Sequence, residues 1–286
     1  GKVIDFMNKF LVSQVISAIL SFLMMICITV LATSICLSLT FFRPGFITER
    51  MNDKYYNLAL DSLRQTLKDE IAPPSHMPEE VFGELFNVRL IEEDSQESVR
   101  AILEGIDYFH DSSQVRKMVM DRFIKYAEEN NIDHAETNLE ALADICIEEY
   151  KRQISVPYLK SFAPIRHMFQ EAFTYMILIL SFLLILLLFF LFGIHRFKHR
   201  ALRYCIYSLF ASALLMIPIP LFLLIQGAYN KINLSPEHVK MLFTSMISST
   251  LLSLVLCGAL IAAVGGGLIL VVRSMRYKAI RGGKKY

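Results

Sequence analysis

Residues 173–194 read FTYMILILSFLLILLLFFLFGI, twenty-two positions without Lys, Arg, Asp or Glu. An α-helix needs roughly 20 consecutive apolar residues to cross the hydrocarbon core of a bilayer, so this stretch alone points to an integral membrane protein. Three further runs are equally free of charge: Phe10–Phe42, Tyr204–Ala228 and Met241–Val272. Helical spans suit all four, because a helix satisfies its own backbone N–H and C=O groups where no water is available. The expected fold class is an all-α integral membrane protein with four transmembrane helices, at 10–42, 173–194, 204–228 and 241–272. The first run is overlong: 33 residues make a helix of roughly 50 Å, which must tilt or project. It also exceeds the apolar region of a secretory signal and lacks a small-residue cleavage site, so it reads as a retained anchor. Asp5 occupies the place where an N-myristoylation motif at Gly1 wants Ser or Thr.

Outward from these runs, charge is segregated. A mean hydropathy of +0.44 coexists with 20% charged residues, as in a chain partly in lipid and partly in water. Residues 43–171 hold 25 of the 27 acids against 15 Lys and Arg, a net of −10, although the whole chain carries +2. Short loops that retain Lys and Arg stay in the cytoplasm. Arg196, Lys198, Arg200 and Arg203 fill the 195–203 loop without an acid, and Arg273, Arg276 and Lys278 lead a basic tail at 273–286 with Arg281, Lys284 and Lys285. These segments and residues 1–9 are expected on the cytoplasmic side; the 229–240 loop and the acidic domain at 43–172 are expected outside. Of five cysteines, Cys27, Cys36, Cys205 and Cys257 lie in apolar runs and Cys146 alone lies in the domain. An external domain without a disulfide points to a bacterial plasma membrane.

Apolar residues of the acidic domain recur at helical spacing, which predicts about five helices. Tyr56, Leu60, Leu63, Leu67 and Ile71 form one stripe, ended by Pro73 and Pro74. Pro78, Glu79 and Glu80 open a short second helix with Val81, Phe82, Leu85 and Phe86 inward. Asp94 and Glu97 have the spacing of a capping box for a third helix that carries Val99, Ile102, Leu103 and Ile106. Asp111, Ser112 and Ser113 precede a fourth with Val115, Met118, Val119, Arg122, Phe123 and Tyr126, stopped by Asn130 and Asn131, and Leu139, Leu142, Cys146 and Tyr150 mark a fifth. Pro157 and Pro164 predict a stiffened connector from Val156 to Phe169.

Candidate functional residues lie mainly in the spans. Gly258, Ala262 and Gly266 form one small-xxx-small row, and Ala259, Ala263 and Gly267 form the adjacent one, which permits close helix approach. Pro218 and Pro220 break the backbone ladder of the third run, as a hinge or a static bend. Thr244, Ser245, Ser248, Ser249, Thr250 and Ser253 lie mostly near the outer end of the fourth; they either border a wet vestibule or bond their own helix or a neighbour. None of His76, His110, His134 and His167 pairs with another ligand at metal-site spacing, although His110 adjoins Asp111. No phosphate loop, nucleophile elbow or dinucleotide fingerprint is present. The reading is of no catalytic residue, no cofactor, no metal and no nucleic-acid partner.

Arg43-Pro44-Gly45-Phe46, Tyr55-Tyr56, Pro74-Ser75, Pro78-Glu79-Glu80-Val81, Glu92-Glu93-Asp94 and Leu103-Glu104-Gly105 before Asp111-Ser112 resemble a family of uncharacterised membrane proteins of Gram-positive bacteria. The resemblance covers the first span and half of the domain, and implies architecture and location. One span, an outer domain and three more spans is also similar in layout to permease subunits of cell-division and macrolide-efflux type ABC transporters. Those have a mixed α/β outer domain and a longer inner segment than His195–Arg203. The function expected is non-enzymatic: an acidic outer domain that binds a protein or envelope partner, with spans that anchor in the lipid bilayer and assemble or self-associate. A transport component, as permease-like subunit or homo-oligomeric pore, is the alternative. A lipid-modifying enzyme would rest on His110, Asp111 and His167.

Overall fold

The computed structural model describes residues 2–75, 77–106, 112–130, 136–157, 159–195 and 197–282. Among these, regular structure is helical and no strand occurs. In chain order the helices are α1 (Lys2–Leu39), α2 (Asp53–Thr66), α3 (Ala72–Ser75), α4 (Glu79–Gly83), α5 (Val88–Leu103), α6 (Ser113–Glu129), α7 (Glu136–Ile154), α8 (Leu159–Ile194), α9 (Lys198–Met216), α10 (Pro218–Gln226) and α11 (Glu237–Gly282). They form two compact units. An apolar unit is drawn from residues up to Arg43, from Met168–Asn230 and from Ile247 onward; a polar unit comprises Pro44–His167 and Lys231–Met246.

Four helical segments are long and apolar enough to cross a membrane: in α1, in α8, in α9 with α10, and in α11. Large side chains on them are left uncovered, with Phe189 75% and Ile225 77% exposed. Apolar area of this extent marks a surface that faces a membrane or another protein. At the centre, Met24, Cys27, Leu187, Leu191, Ala201 and Cys205 pack together. Pro218 and Pro220 lack the N–H groups that would continue α9. The helix is therefore interrupted at Ile217, and it resumes when Leu221 N–H donates to the Ile217 carbonyl at 3.1 Å. Gly227, at φ +58°, ends α10 in a left-handed conformation that a side chain would strain.

The polar unit has an aromatic core. Tyr55, Tyr56, Phe82, Phe123 and Tyr150 are each at most 1% exposed, and Phe86 stacks on Tyr150 at 4.8 Å. Burial of each such ring stabilises by about 1.5–3 kcal/mol. The α2 stripe turns inward as its spacing requires, with Tyr56, Leu60, Leu63 and Leu67 buried.

Several local expectations are corrected. The α2 stripe does not stop before Pro73 and Pro74: a widened turn over Leu67–Ile71, with Ala72 N–H bonded to the Leu67 carbonyl, carries the helical path into α3 and to Ser75. Both prolines keep a helical φ and forgo only a donor. Asp94 and Glu97 do not cap a helix. The third helix starts earlier, at Val88, where the Asn87 side chain accepts from Leu90 N–H at 2.8 Å, and Asp94, inside that helix, accepts from the Tyr150 hydroxyl. Ser112 precedes α6 without a side-chain cap; Asp111 and Asn131 lie outside the described residues. The connector is helical from Leu159, with Pro164 inside α8. One proline costs one backbone bond, and the neighbouring Leu159 and Ala163, 4% and 6% exposed, hold the turn in the core. Helix α1 ends at Leu39, short of Phe42, and α11 starts at Glu237, inside the stretch read as a loop.

Candidate functional site

In the apolar unit, α1 and α9 meet along a seam of hydroxyls. Ser17, Ser208 and Ser212 are at most 1% exposed and Ser21 is 9% exposed. The Ser21 and Ser208 hydroxyls lie 2.9 Å apart, and those of Thr29 and Ser212 2.8 Å apart. Ser208 also lies within bonding distance of the Ser21 and Tyr204 carbonyls. Small side chains at i and i+4 let the helices approach, and hydroxyls then bond across the gap, the usual adhesive between helices in lipid. The seam ends at His195, whose Nδ1 is 3.1 Å from the Leu191 carbonyl and whose Nε2 is 3.5 Å from Ser17 Oγ.

Beside that end opens a pocket of about 470 Å³ bordered by Ser13, His195, Arg200, Arg203, Tyr204 and Tyr207. Of the basic residues singled out at 195–203, a stretch that is helical from Lys198 as the start of α9, Arg203 is half-buried, Lys198 and Arg200 are exposed, and Arg196 lies outside the described residues. Arg273 and Arg276 are exposed near the end of α11. Lys278 lies in α11 as well.

The two small-residue rows of α11 divide. A methyl added to Gly258 would lie 2.7 Å from Ile217 Cγ1 and 3.2 Å from Met216 Cβ. Gly258 is thus packed on the interruption that Pro218 and Pro220 create. Ala262 and Gly266 are half-buried, and an added Cβ at Gly266 meets nothing within 4 Å. Ala259, Ala263 and Gly267 are exposed. Gly265, outside both rows, makes the second close contact, 3.2 Å from the Phe210 ring. Among the hydroxyls of α11, Thr244 and Ser253 donate to carbonyls four residues earlier.

Two features stand out in the polar unit. A cleft of about 270 Å³ is bordered by Ile102, Leu103, Ile106, Lys160, Pro164 and His167, and the nearly buried Arg166 braces it by donating to the Leu103 carbonyl at 3.2 Å. Elsewhere, His238 is fully buried with its ring 5.1 Å from that of Tyr55. Both its nitrogens, the Tyr55 hydroxyl and Gln153 Oε1 lack hydrogen-bond partners among the described residues. Burial pushes the His238 pKa down to about 4, and the nearby Gln153 backbone offsets only part of this. Burial also raises the Cys146 thiol to about 12, which leaves it unreactive.

His76, His110, His134 and Asp111 lie outside the described residues. Among those described, no three His, Cys, Asp or Glu side chains converge on one point. No protein-family model, curated protein or solved structure matches this chain, so its function is argued from geometry.

Sequence reasoning missed the α1–α9 seam and His238. The seam had a signal, since Ser17 and Ser21, like Ser208 and Ser212, have the i, i+4 spacing that was read only in α11. His238 had none, because its burial depends on α2 and α7.

Proposed function

We propose that the chain is a multi-pass protein of a bacterial plasma membrane whose acidic helical domain, outside the cytoplasm, binds a protein or envelope partner while the spans anchor and assemble it. Both termini and the 195–203 loop are then cytoplasmic, as the basic residues there favour. The observation that carries the reading is the cleft between Ile102–Ile106 and Lys160–His167. The unit that holds it has a complete aromatic core, yet leaves Ile106 57% and Ile165 47% exposed beside it. The apolar side chains at its border, Ile102, Leu103, Ile106 and Pro164, suit an apolar partner segment.

Site-specific photo-crosslinking in native membranes tests this. A photoreactive residue at Ile106 or Ile165 is expected to trap a discrete partner, and one at the exposed Asp144 is not. Equal yields from all three positions, or none from any, would contradict the assignment.

A second reading, a transport component, is favoured by the seating of Gly258 on the Ile217 interruption, since a close-packed break is a place where a span can bend. The layout similarity to ABC permease subunits points the same way. Solute flux in reconstituted liposomes that Gly258→Leu abolishes would support this reading; silence across ions and small solutes would remove an autonomous pore.

A further inference from the structure

We propose that the pocket at the start of α9 binds the phosphate of an anionic lipid headgroup. The pocket is lined by two guanidinium groups and by no Asp or Glu. Among the described residues no carboxylate pairs with Arg200 or Arg203. Guanidinium groups at the border of one cavity, without a carboxylate partner among the described residues, offer planar forks of donors that match phosphate oxygens. Arg200 lies 5.8 Å over the Phe197 ring, which holds it without neutralising it. The N-terminal end of α9, a helix of 19 residues, adds the positive end of its dipole.

The remainder of the pocket suits a headgroup better than a free ion. Tyr204 and Tyr207 meet edge to face at 6.1 Å, and tyrosine rings of this kind sit at the level of lipid headgroups. His195 packs at 5.4 Å from Tyr204 and is oriented by its bond to the Leu191 carbonyl, so the wall behind the phosphate is fixed before a ligand arrives. A volume of about 470 Å³ exceeds what a phosphate alone fills and lies in the range of small-molecule sites. The pocket stands at the end of α8 and the start of α9, beside the beginning of the apolar segment of α1 at Ser13, where a lipid with its tails along those helices presents its phosphate. Basic pockets between spans recognise anionic headgroups through the same combination.

The full chain in a neutral detergent provides the test, by its melting midpoint with added short-chain phosphatidylglycerol, phosphatidylcholine or inorganic phosphate. Phosphatidylglycerol is expected to raise the midpoint by roughly 5 °C near saturation, and phosphatidylcholine and inorganic phosphate are not. The double variant Arg200→Gln/Arg203→Gln should lose at least tenfold in apparent affinity. Arg273→Gln/Arg276→Gln, which removes two charges that do not line the pocket, should respond as the parent does. If the first double variant melts low without lipid, Arg200→Gln alone, at an exposed side chain, carries the comparison. Equal losses in the two double variants would reduce the effect to surface charge and overturn the proposal. An equal shift with inorganic phosphate would overturn it in favour of a soluble phosphate ligand, and no shift with phosphatidylglycerol would overturn it outright. The cleft of the polar unit is untouched by these variants, so failure here leaves the partner-binding reading to its own test.

Discussion

At the centre of the polar unit lie Tyr55, Tyr56, Phe82, Phe123 and Tyr150; between α1 and α9 of the apolar unit lie Ser17, Ser21, Ser208 and Ser212. The first set is what water selects, because the removal of large rings from solvent is the main stabilising term there. The second is what a lipid environment would select, because apolar surface gains little by moving from lipid to another helix, which leaves close approach and hydroxyl bonds to hold helices together. Surfaces are reversed to match. Phe189 and Ile225 stand out from the apolar unit, whereas the polar unit presents ion pairs such as Arg116 with Asp144 and Arg122 with Glu84. Exposed pairs of that kind add little stability, but they keep a helical surface in water.

If this contrast is sound, truncation of a ring in the polar unit should have the largest effect. Phe123→Ala is expected to cost about 3–5 kcal/mol, read as protease cleavage within 44–167 while residues 168–230, of the apolar unit, stay protected. Acidification comes next. His238 is neutral when folded, with a pKa near 4, against an ordinary value of 6.5. The unfolded chain therefore binds the extra proton between these values, so stability is full above about pH 6.5 and falls as pH drops toward 4, by about 3 kcal/mol in all. His238→Phe, which keeps a ring against Tyr55, should remove that slope in denaturant titrations of the polar unit at pH 4.5 and 7; an unchanged slope would assign it to other groups.

Smaller effects belong to the apolar unit. Gly258→Leu forces side-chain carbons onto Met216 and Ile217 and should cost about 1–3 kcal/mol, whereas Gly267→Leu, with nothing within 4 Å of an added Cβ, should leave the detergent melting midpoint unchanged. Ser208→Ala should be milder still, about 0.6 kcal/mol, measured by resistance to a denaturing detergent. A Ser208→Ala loss comparable to that of Phe123→Ala would erase the distinction between the two cores.

The four apolar helices were legible because Lys, Arg, Asp and Glu are absent from 173–194 and its three counterparts, and lipid penalises each such charge heavily. The helices of the polar unit were legible where a stripe such as Tyr56-Leu60-Leu63-Leu67 repeats. Asn87 was overlooked as a cap because Asp94 and Glu97 matched a motif better, and only the contact with Tyr150 shows what Asp94 does instead. The seam was illegible for a physical reason. A serine in an apolar helix reads the same whether it bonds its own turn, as Ser253 does, or a neighbouring helix, as Ser21 does, and only the partner decides. The same holds for α11, where the sequence offers two small-residue rows and packing uses Gly258 and Gly265.

The central proposal, that the acidic helical unit and the basic start of α9 face opposite sides of a membrane, is tested most directly by cysteine accessibility in intact cells. Cys27, Cys36, Cys146 and Cys205 are buried and Cys257 is half-buried, so background labelling should be low. Glu128→Cys and Lys198→Cys both stand at exposed positions and would be treated with a membrane-impermeant maleimide before and after permeabilisation. The account predicts that Glu128→Cys labels at once and Lys198→Cys only after permeabilisation; labelling of both from the same side would contradict it.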